Sequence, residues 1–599
     1  MGILLLVAAF ASLILSSRLS PPPAPAPEVE SPAPMPGAPN QAPSVADSAR
    51  PASSPADATF AALASVNADA VVTTLRNDHV ELRLTNYGGA IRDVAFARYP
   101  AEQDSDQAYI FNQINADPIL AFAERSIPGL GRNTPYQLVS ATASEVVYRT
   151  VLEGRLEITR RYALPGPDED PYRIHAATTF RNLADHPVPA VRAALALGTT
   201  AHVSVNDYGQ YLNVATYDGD DADVIAPGDL EGGGFLSWIG LKDGAPKTVL
   251  EQDATTVWAA VKNQFFVSIY TPATPGNGVI VRRVELEPFP GTTKPNGGIT
   301  GAIRLDVPAL EAGGSATIAG DLYVGPKEYT RLAQFEKRED KVMQYDRYFF
   351  SKIALSGVLA PTMNRLMNWM HGFVGNWGVA IILMTLALKI VTLPFTLAAS
   401  KSAKRMAKFQ PEIAAIREKF KDNPQKMNQA TLELFKKHKI NPAGGCLPVL
   451  ITIPLFIAFF AMLQGTAELR FQSFLWAHDL SAPDTIARIF GLPINIMPLL
   501  MGATMIIQMR LTPSPSVDNA QMKMMKFMPI IFTLFCYNFA AALALYSTIN
   551  GVFTIGQQLI VNRMKDPATD NQVVDPAAAV ASVGGKGKGR KLKNVTPKK

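Results

Sequence analysis

The spacing of apolar and polar residues changes character several times along the chain, and each change predicts a different element. Residues 2–17 are one uncharged apolar run closed by Arg18. The run is short for a span of about 20 residues. It lacks both a basic flank before it and a small-x-small site after it, so residues 1–18 are expected to be an uncleaved anchor rather than a secretory signal. The missing flank also suggests that a few residues precede this start. Residues 19–57 follow as a tether: 12 prolines fall between 21 and 55, and proline at that density builds neither helix nor central strand.

From 58 to 340 the pattern alternates with period two, as in Val80-Glu81-Leu82-Arg83-Leu84-Thr85, Leu156-Glu157-Ile158-Thr159 and Arg304-Leu305-Asp306-Val307. Each such strand turns one face to a core and the other to water. Turn clusters such as Asn86-Tyr87-Gly88-Gly89 and Asp218-Gly219-Asp220-Asp221 separate them. Many short strands between turn signals predict a large all-β sandwich.

Beyond about 345 the chain reads as membrane helix. Residues 345–373 mix Phe, Leu, Met and Trp with Lys352, Arg365 and His371. This predicts an interfacial amphipathic helix bent or interrupted at Pro361, against the alternative of a linker helix packed on the sandwich. Spans are predicted at about 377–395, 446–464, 493–509, 527–541 and 543–561, the last two forming a tight hairpin that turns near Phe539–Ala542. With the anchor there are six. Between the first two of these spans, 401–440 predicts a charged helical hairpin, with helices Ala403–Phe420 and Asn428–Lys439 parted by Asp422-Asn423-Pro424. A basic tail, 564–599, closes the chain.

Charge orients this pattern. Residues 1–350 carry 28 basic and 40 acidic side chains; residues 351–599 carry 28 basic and 11 acidic, so the overall +5 averages two opposite halves. Segment 401–439 holds 11 basic and four acidic residues, whereas 466–492 holds two and three. The positive-inside bias thus places 401–440, 510–526 and the C-terminus in the cytoplasm and the β-domain outside. Two cysteines, Cys446 and Cys536, exclude a disulfide scaffold and read as small packing residues. No phosphate-binding loop, metal-spaced His/Cys cluster or nucleophile elbow appears, so no cofactor is expected. His79, His175, His186 and His202 are scattered through the β-region and read as surface or structural residues.

Lys389 is the exception inside an apolar span. A central lysine costs about 2.5–3.5 kcal/mol on insertion scales. Snorkelling to the nearer interface is one escape. Thr385, Thr392 and Thr396 lie at i−4, i+3 and i+7, however, so a stripe of hydroxyls shares its face. Thr452, Gln464 and Gln508, and Tyr546, Ser547, Thr548, Asn550 and Thr554 of the last span, offer matching polar groups. Together they permit a hydrated cationic groove. The basic residues Lys404, Arg405, Lys408 and Arg417 of the hairpin, and Lys588, Arg590 and Lys591 of the tail, suit anionic lipid headgroups or the phosphates of a ribosome equally well. The competing readings are an anion transporter using Lys389, against which no internal repeat is found, and a membrane-anchored carbohydrate enzyme, which would need a converging His/Glu pair.

Asn441-Pro442-Ala443-Gly444-Gly445-Cys446-Leu447-Pro448 resembles the junction before the third span of the YidC membrane protein insertases. Gly375-Asn376-Trp377-Gly378 and Lys526-Phe527-Met528-Pro529 are similar to the same family, and the resemblance covers about 345–563. It implies a non-enzymatic insertase and chaperone of the bacterial inner membrane. The expected fold is a five-helix core, 374–563, with a periplasmic β-supersandwich. The groove would open to cytoplasm and lipid and be closed to the periplasm. Implied partners are nascent membrane proteins, the Sec translocon (SecYEG, SecDF), the ribosome, and the signal recognition particle with its receptor. Lys389 stands where the family usually has arginine, which keeps the charge without the bidentate fork. Thr385, Tyr546 and Asn550 match groove positions, and Thr452 stands where a glutamine can occur. Ala540-Ala541-Ala542 replaces the Pro-Ser-Gly turn of the last hairpin.

Overall fold

The computed structural model describes residues 69–113, 117–123, 127–204, 207, 209–232, 245–289, 296–421, 423–437, 447–511 and 520–564. The anchor, the tether, the 441–446 motif and the tail with Lys588, Arg590 and Lys591 lie outside them, as does the side chain of Arg405. The chain divides into two compact units: one runs to Met343 and includes 465–467, and the other holds the remainder from Gln344.

The first unit is antiparallel β throughout its sheets. A nine-stranded sheet runs in the order Ala222–Ile225, Asn213–Tyr217, Trp258–Lys262, Phe266–Pro272, Ser315–Pro326, Arg173–Asn182, Leu156–Ala163, Glu145–Leu152 and Gln137–Ala141. Two four-stranded sheets accompany it, one from Val72 to Phe111 and one built of Val249–Gln252, Val279–Leu286, Asn296–Val307 and Val191–Ala201. Alternation decides the faces as expected in Val80–Thr85, where Val80, Leu82 and Leu84 are buried. Gly88 and Gly89 turn that strand into Ala90–Pro100 with positive φ, and a Cβ on Gly89 would meet the Tyr136 ring at 2.8 Å. Arg304 departs from the pattern. It is buried in Asn296–Val307, where its guanidinium reaches the Gln252 carbonyl at 3.0 Å and the Asp253 carboxylate. A charge at an expected wet position is drawn inside because both partners converge on it.

The second unit is helical: α1 (Phe349–Ile353), α2 (Ser356–Val374), α3 (Trp377–Lys408), α4 (Gln410–Lys419), α5 (Pro424–Lys437), α6 (Leu447–Gln464), α7 (Ile496–Leu511), α8 (Ala520–Cys536) and α9 (Ala541–Arg563). Among the described residues one helical stretch, Trp377–Ser402, is long and apolar enough to cross a membrane by itself; Thr452–Gln464, Ile496–Leu511 and Phe527–Cys536 are shorter apolar stretches. The interfacial segment breaks at Leu355, with a left-handed φ of 55°, and α2 runs on through Pro361. Proline in the second turn of a helix removes only one backbone bond, to the Gly357 carbonyl. Helix α2 buries Ala360, Met363, Asn364 and Met367, one helical face, and packs against α3 and α6.

Three further boundaries differ from the sequence pattern. Helix α3 continues from the span through 401–408 and stops before Phe409, because Pro411 opens α4 and cannot donate to the preceding turn. Residues 493–495 belong to a strand, Leu492–Asn495, paired with Thr485–Ile489, so the helix expected from 493 starts at Ile496. The terminal hairpin turns at Tyr537–Ala540, slightly earlier than expected. The amides of Ala541 and Ala542 already donate to the carbonyls of Ala482 and Leu480, at 2.8 and 3.0 Å, as the first orphan donors of α9.

Candidate functional site: a polar seam between α3 and α9

Helices α3 and α9 pack along a row that leaves an otherwise apolar surface polar. Lys389 Nζ donates to Thr554 Oγ1 at 2.8 Å, and the Thr554 hydroxyl donates onward to the Asn550 carbonyl at 2.8 Å. Two turns further, the Thr396 hydroxyl bonds Gln557 Oε1 at 3.2 Å, and Gln557 Nε2 reaches Ser400 Oγ at 3.5 Å. At the end of the row Lys404 Nζ donates to the carbonyls of Val561, Asn562 and Met564, at 2.9, 3.1 and 2.8 Å. These are the orphan acceptors of the α9 C-terminus, where a cation also meets the favourable end of the helix dipole. The α3 contributors fall at i, i+7, i+11 and i+15 from Lys389, a single helical stripe.

Neither α3 nor α9 contains an Asp or Glu, and among the described residues Lys389 makes no ion pair. Its ammonium is half-buried and held by a hydroxyl. Around it the surface is apolar: Ile390 and Val391 on α3, and Val552 and Phe553 on α9, are exposed.

The other expected residues fall differently. Thr385 is buried and its hydroxyl is spent on the Ile381 carbonyl of its own helix, at 2.7 Å. Thr392 is half-buried and likewise back-bonded, to the Leu388 carbonyl at 2.8 Å. Tyr546 is buried and stacks on Phe459 of α6, with ring centroids 4.1 Å apart and planes 11° from parallel. It lies eight residues before Thr554, about 12 Å along the axis, so it packs the wall beyond the ammonium. Thr452, half-buried on α6, lies two turns before Phe459 on the same face. Lys408 and Arg417 are exposed on α3 and α4, whereas Lys404 is committed to the α9 terminus. Gln557, Ser400 and that capping role were missed; the stripe spacing on α3 was the signal that carried them.

A folded segment, 468–495, closes one end of this helical unit. Phe474 lies against Gly378 of α3, where a Cβ would meet its ring at 2.1 Å. Asp484 Oδ2 accepts from Trp476 Nε1 at 2.9 Å and from the Met497 amide at 2.7 Å. Asn495 is fully buried, and its Nδ2 donates to the Tyr537 carbonyl at 2.7 Å. The Tyr537 hydroxyl in turn donates to the Pro493 carbonyl at 2.8 Å. The α8–α9 turn is therefore tied to the start of α7. Helix α7 then seats between the two arms through Gly502 against Thr533 and Thr504 against Gly551.

In the β-domain, an open cavity of about 500 Å³ is lined by Arg161, Arg173, His175, Asp321 and Lys337. His175 Nδ1 lies 2.7 Å from Asp321 Oδ1 and Nε2 lies 2.8 Å from Glu169 Oε2. Burial opposes its protonation, yet the two carboxylates raise its pKa. Among the described residues no three His, Cys, Asp or Glu side chains form a metal site.

Fold and seam together define a protein with a large antiparallel β-domain and an apolar helical unit whose α3–α9 packing holds two lysines, Lys389 and Lys404. The family description for the YidC periplasmic domain matches residues 72–354, and that for the 60Kd inner membrane protein matches 369–568. A protein of Tolumonas auensis named membrane protein insertase YidC is 30% identical over 544 residues, 87% of this chain and 92% of that one. Its namesake in Shewanella baltica is 30% identical over 508 residues, 83% and 87% of the two chains. A solved structure of an active YidC insertase aligns over 84% of this chain and 94% of its own, at 17% identity and a TM-score of 0.31.

The chain belongs to the YidC family of membrane protein insertases. These are inner-membrane proteins that insert other proteins into the membrane and are not enzymes.

Proposed function

We propose that the α3–α9 seam is the substrate groove of this insertase and that Lys389 is its working charge. The carrying observation is that the ammonium points across to α9 and rests on Thr554, with no carboxylate on either helix. A polar, acidic flank of an incoming segment would find there an unpaired cation. At 4 Å and an effective dielectric near 20 their attraction is about 4 kcal/mol, against about 1 in water. The hydrophobic part of the substrate would slide along the exposed apolar faces beside the seam. Its partition into lipid would then draw the flank across, each central Leu or Ile contributing about 0.3–0.6 kcal/mol.

The topology that suits this reading has six spans: the anchor at 1–18 and five helices within 374–563. The β-domain and the 468–495 closure would face the periplasm, and the α4–α5 hairpin, 401–440, and the tail, 564–599, the cytoplasm. Charge distribution supports it, and the closed end supports a groove entered from the cytoplasm and from lipid. A transporter reading would require that end to open. Helix α7 has 16 residues, about 24 Å against a core of about 30 Å, so a locally thinned bilayer fits as well; a bilayer of undisturbed thickness around the purified protein would remove that point. Thr392 and Asn550 would contribute backbone-bound polarity to the groove, and Thr385, Thr452 and Tyr546 its walls. Lys408 and Arg417, with Arg405 and the tail cations Lys588, Arg590 and Lys591, are the proposed contacts to the ribosome, the signal recognition particle and its receptor, and anionic lipid. Cooperation with the Sec translocon (SecYEG, SecDF) belongs to the same proposal.

The test compares Lys389→Arg, Lys389→Gln and Lys389→Glu in a depletion strain, with protease protection of a substrate carrying an acidic tail as readout. Arg should support insertion, and Glu should slow it at least about tenfold, the loss of little more than 1.4 kcal/mol. Undiminished insertion by the Glu variant refutes the role of the charge. Crosslinks from positions beside Lys389 to a stalled nascent chain should appear for the wild type; their absence would remove the groove itself.

A further inference from the structure

The hairpin Thr485–Ile489/Leu492–Asn495 ends in a turn that fits poorly with water. Its two turn residues, Phe490 and Gly491, both have positive φ, 50° and 79°, and join the pair Ile489↔Leu492. Such a turn favours Asn-Gly, and a bulky residue at its first position is sterically costly. Here that position is Phe490, which is 100% exposed, between Ile489 at 53% and Leu492 at 72%. Arg488, next in line, is exposed too. The base, by contrast, is fixed: Thr485 Oγ1 bonds Asn495 Oδ1 at 2.7 Å, and Asn495 is bound to the α8–α9 turn. A rigid stem thus presents an apolar tip held in a strained backbone.

We propose that this tip inserts into the bilayer leaflet bordering the start of α7, with Phe490 and Leu492 among acyl chains and Arg488 at the headgroup phosphates. Three observations select lipid as the occupant. Asn495 is followed directly by Ile496, the first residue of α7, so the hairpin starts at the membrane surface where that helix enters. Five strand residues reach about 16 Å, the scale of the interfacial zone and the outer acyl segments. Leu499 and Leu500, in the first two turns of α7, are exposed as well, so the helix that starts at the hairpin's base also presents apolar side chains. A cation flanking aromatic and aliphatic anchors is the composition that binds an anionic interface. The inference rests on α7 crossing the membrane, as proposed above.

The test uses the full chain with Cys446→Ser and Cys536→Ala, carrying one cysteine labelled with an environment-sensitive fluorophore. The cysteine is placed by Phe490→Cys, Leu499→Cys or Ser144→Cys, the last in an exposed turn of the β-domain. Each protein is reconstituted into vesicles of phosphatidylethanolamine and phosphatidylglycerol doped with a lipid bearing a doxyl quencher near the headgroup. The label at 490 should be quenched by that lipid about threefold more than at 144 and be shielded from aqueous iodide. Adding Arg488→Glu should lower its quenching by about half. Iodide access at 490 equal to that at 144 would place the tip in water and overturn the inference. Shielding from both quenchers would mean that protein covers it, a second copy included, and would overturn it too. Lipid quenching at 499 without quenching at 490 would end the hairpin inference and leave α7 as a span. No lipid quenching at either position would overturn both.

Discussion

Gly551 separates two helices at their closest approach, and the consequence can be worked through. A Cβ built on it meets Thr504 Oγ1 at 2.5 Å and Thr504 Cβ at 2.8 Å, where ordinary contact begins near 3.4 Å. Gly551→Ala therefore requires α7 and α9 to part by up to about 0.9 Å; rotating Thr504 out of its bond to the Met501 carbonyl, at 2.7 Å, would relieve the hydroxyl contact but leave Thr504 Cβ at 2.8 Å, still about 0.6 Å too close. Overpacking of this kind costs about 1–3 kcal/mol, and the better helix propensity of alanine offsets up to about 1. A net loss of about 1–2 kcal/mol is expected. In a Thr504→Gly background all the contacting atoms are gone, and the same Gly551→Ala change should become neutral or stabilising by up to about 1 kcal/mol. The assay is thermal unfolding of purified protein in detergent with a thiol-reactive dye, in a Cys446→Ser background. Cys536 is 2% exposed when folded and reports its release. A shift of about 2–4 °C per kcal/mol is expected for a unit of this size. An equal loss in both backgrounds would show the two sites to be independent and refute the packing argument.

Two further outcomes follow from capping and burial. Lys404→Met removes three ammonium–carbonyl bonds from the last turn of α9, so hydrogen exchange of the amides at 558–563 should speed up by about tenfold, the effect of 1–2 kcal/mol at a helix terminus; unchanged exchange would deny the cap. In the β-domain, burial lowers the pKa of Lys327 to about 7 despite the attraction of Asp207, although its ammonium also bonds the Asn263 and Gln264 carbonyls and lies 4.6 Å from the Tyr211 ring. The folded state then binds fewer protons than the unfolded state between pH 7 and 10.5, so stability should rise with pH across that window, by at most about 5 kcal/mol. Denaturant titrations at pH 6, 8 and 10 should show the rise in the wild type and a flatter profile for Lys327→Met; parallel profiles would refute it.

Local rules carried much of the fold because they need only neighbours. Leu82 and Leu84, or Leu156 and Ile158, are buried where alternation puts them. The second hairpin helix, expected from Asn428 with Pro424 in the breaker before it, instead opens at Pro424, because proline at a first helical position gives up no bond the helix needs. Long-range partners were the blind spot. Arg304 looks like an exposed strand residue until Asp253, 51 residues away, reaches it. The Lys389 stripe was legible on α3, but its partner Thr554 is 165 residues downstream, one of several polar groups in the last span that spacing ranked equally. Lys404 is indistinguishable in sequence from any cytoplasmic-flank cation, since a cap on another helix leaves no mark near it. Segment 468–495 has neither a long apolar run nor a clean period, because its order comes from Asp484, Asn495 and Tyr537 binding across it.

The hydroxyl of Thr554 gives the seam's cation a resting perch. Its single hydrogen is already given to the Asn550 carbonyl, and its lone pairs receive the lysine. In the proposed groove, an ammonium swinging away to a substrate carboxylate would leave the threonine its own bond and strand no new donor. The lysine would trade a neutral acceptor for a charged one, adding Coulomb attraction to a bond already assisted by its own charge, and would trade back when the visitor leaves. A carboxylate in Thr554's position would have locked the charge in place; a methyl group would have left it homeless. Threonine would keep it waiting, loosely moored and ready for repeated use.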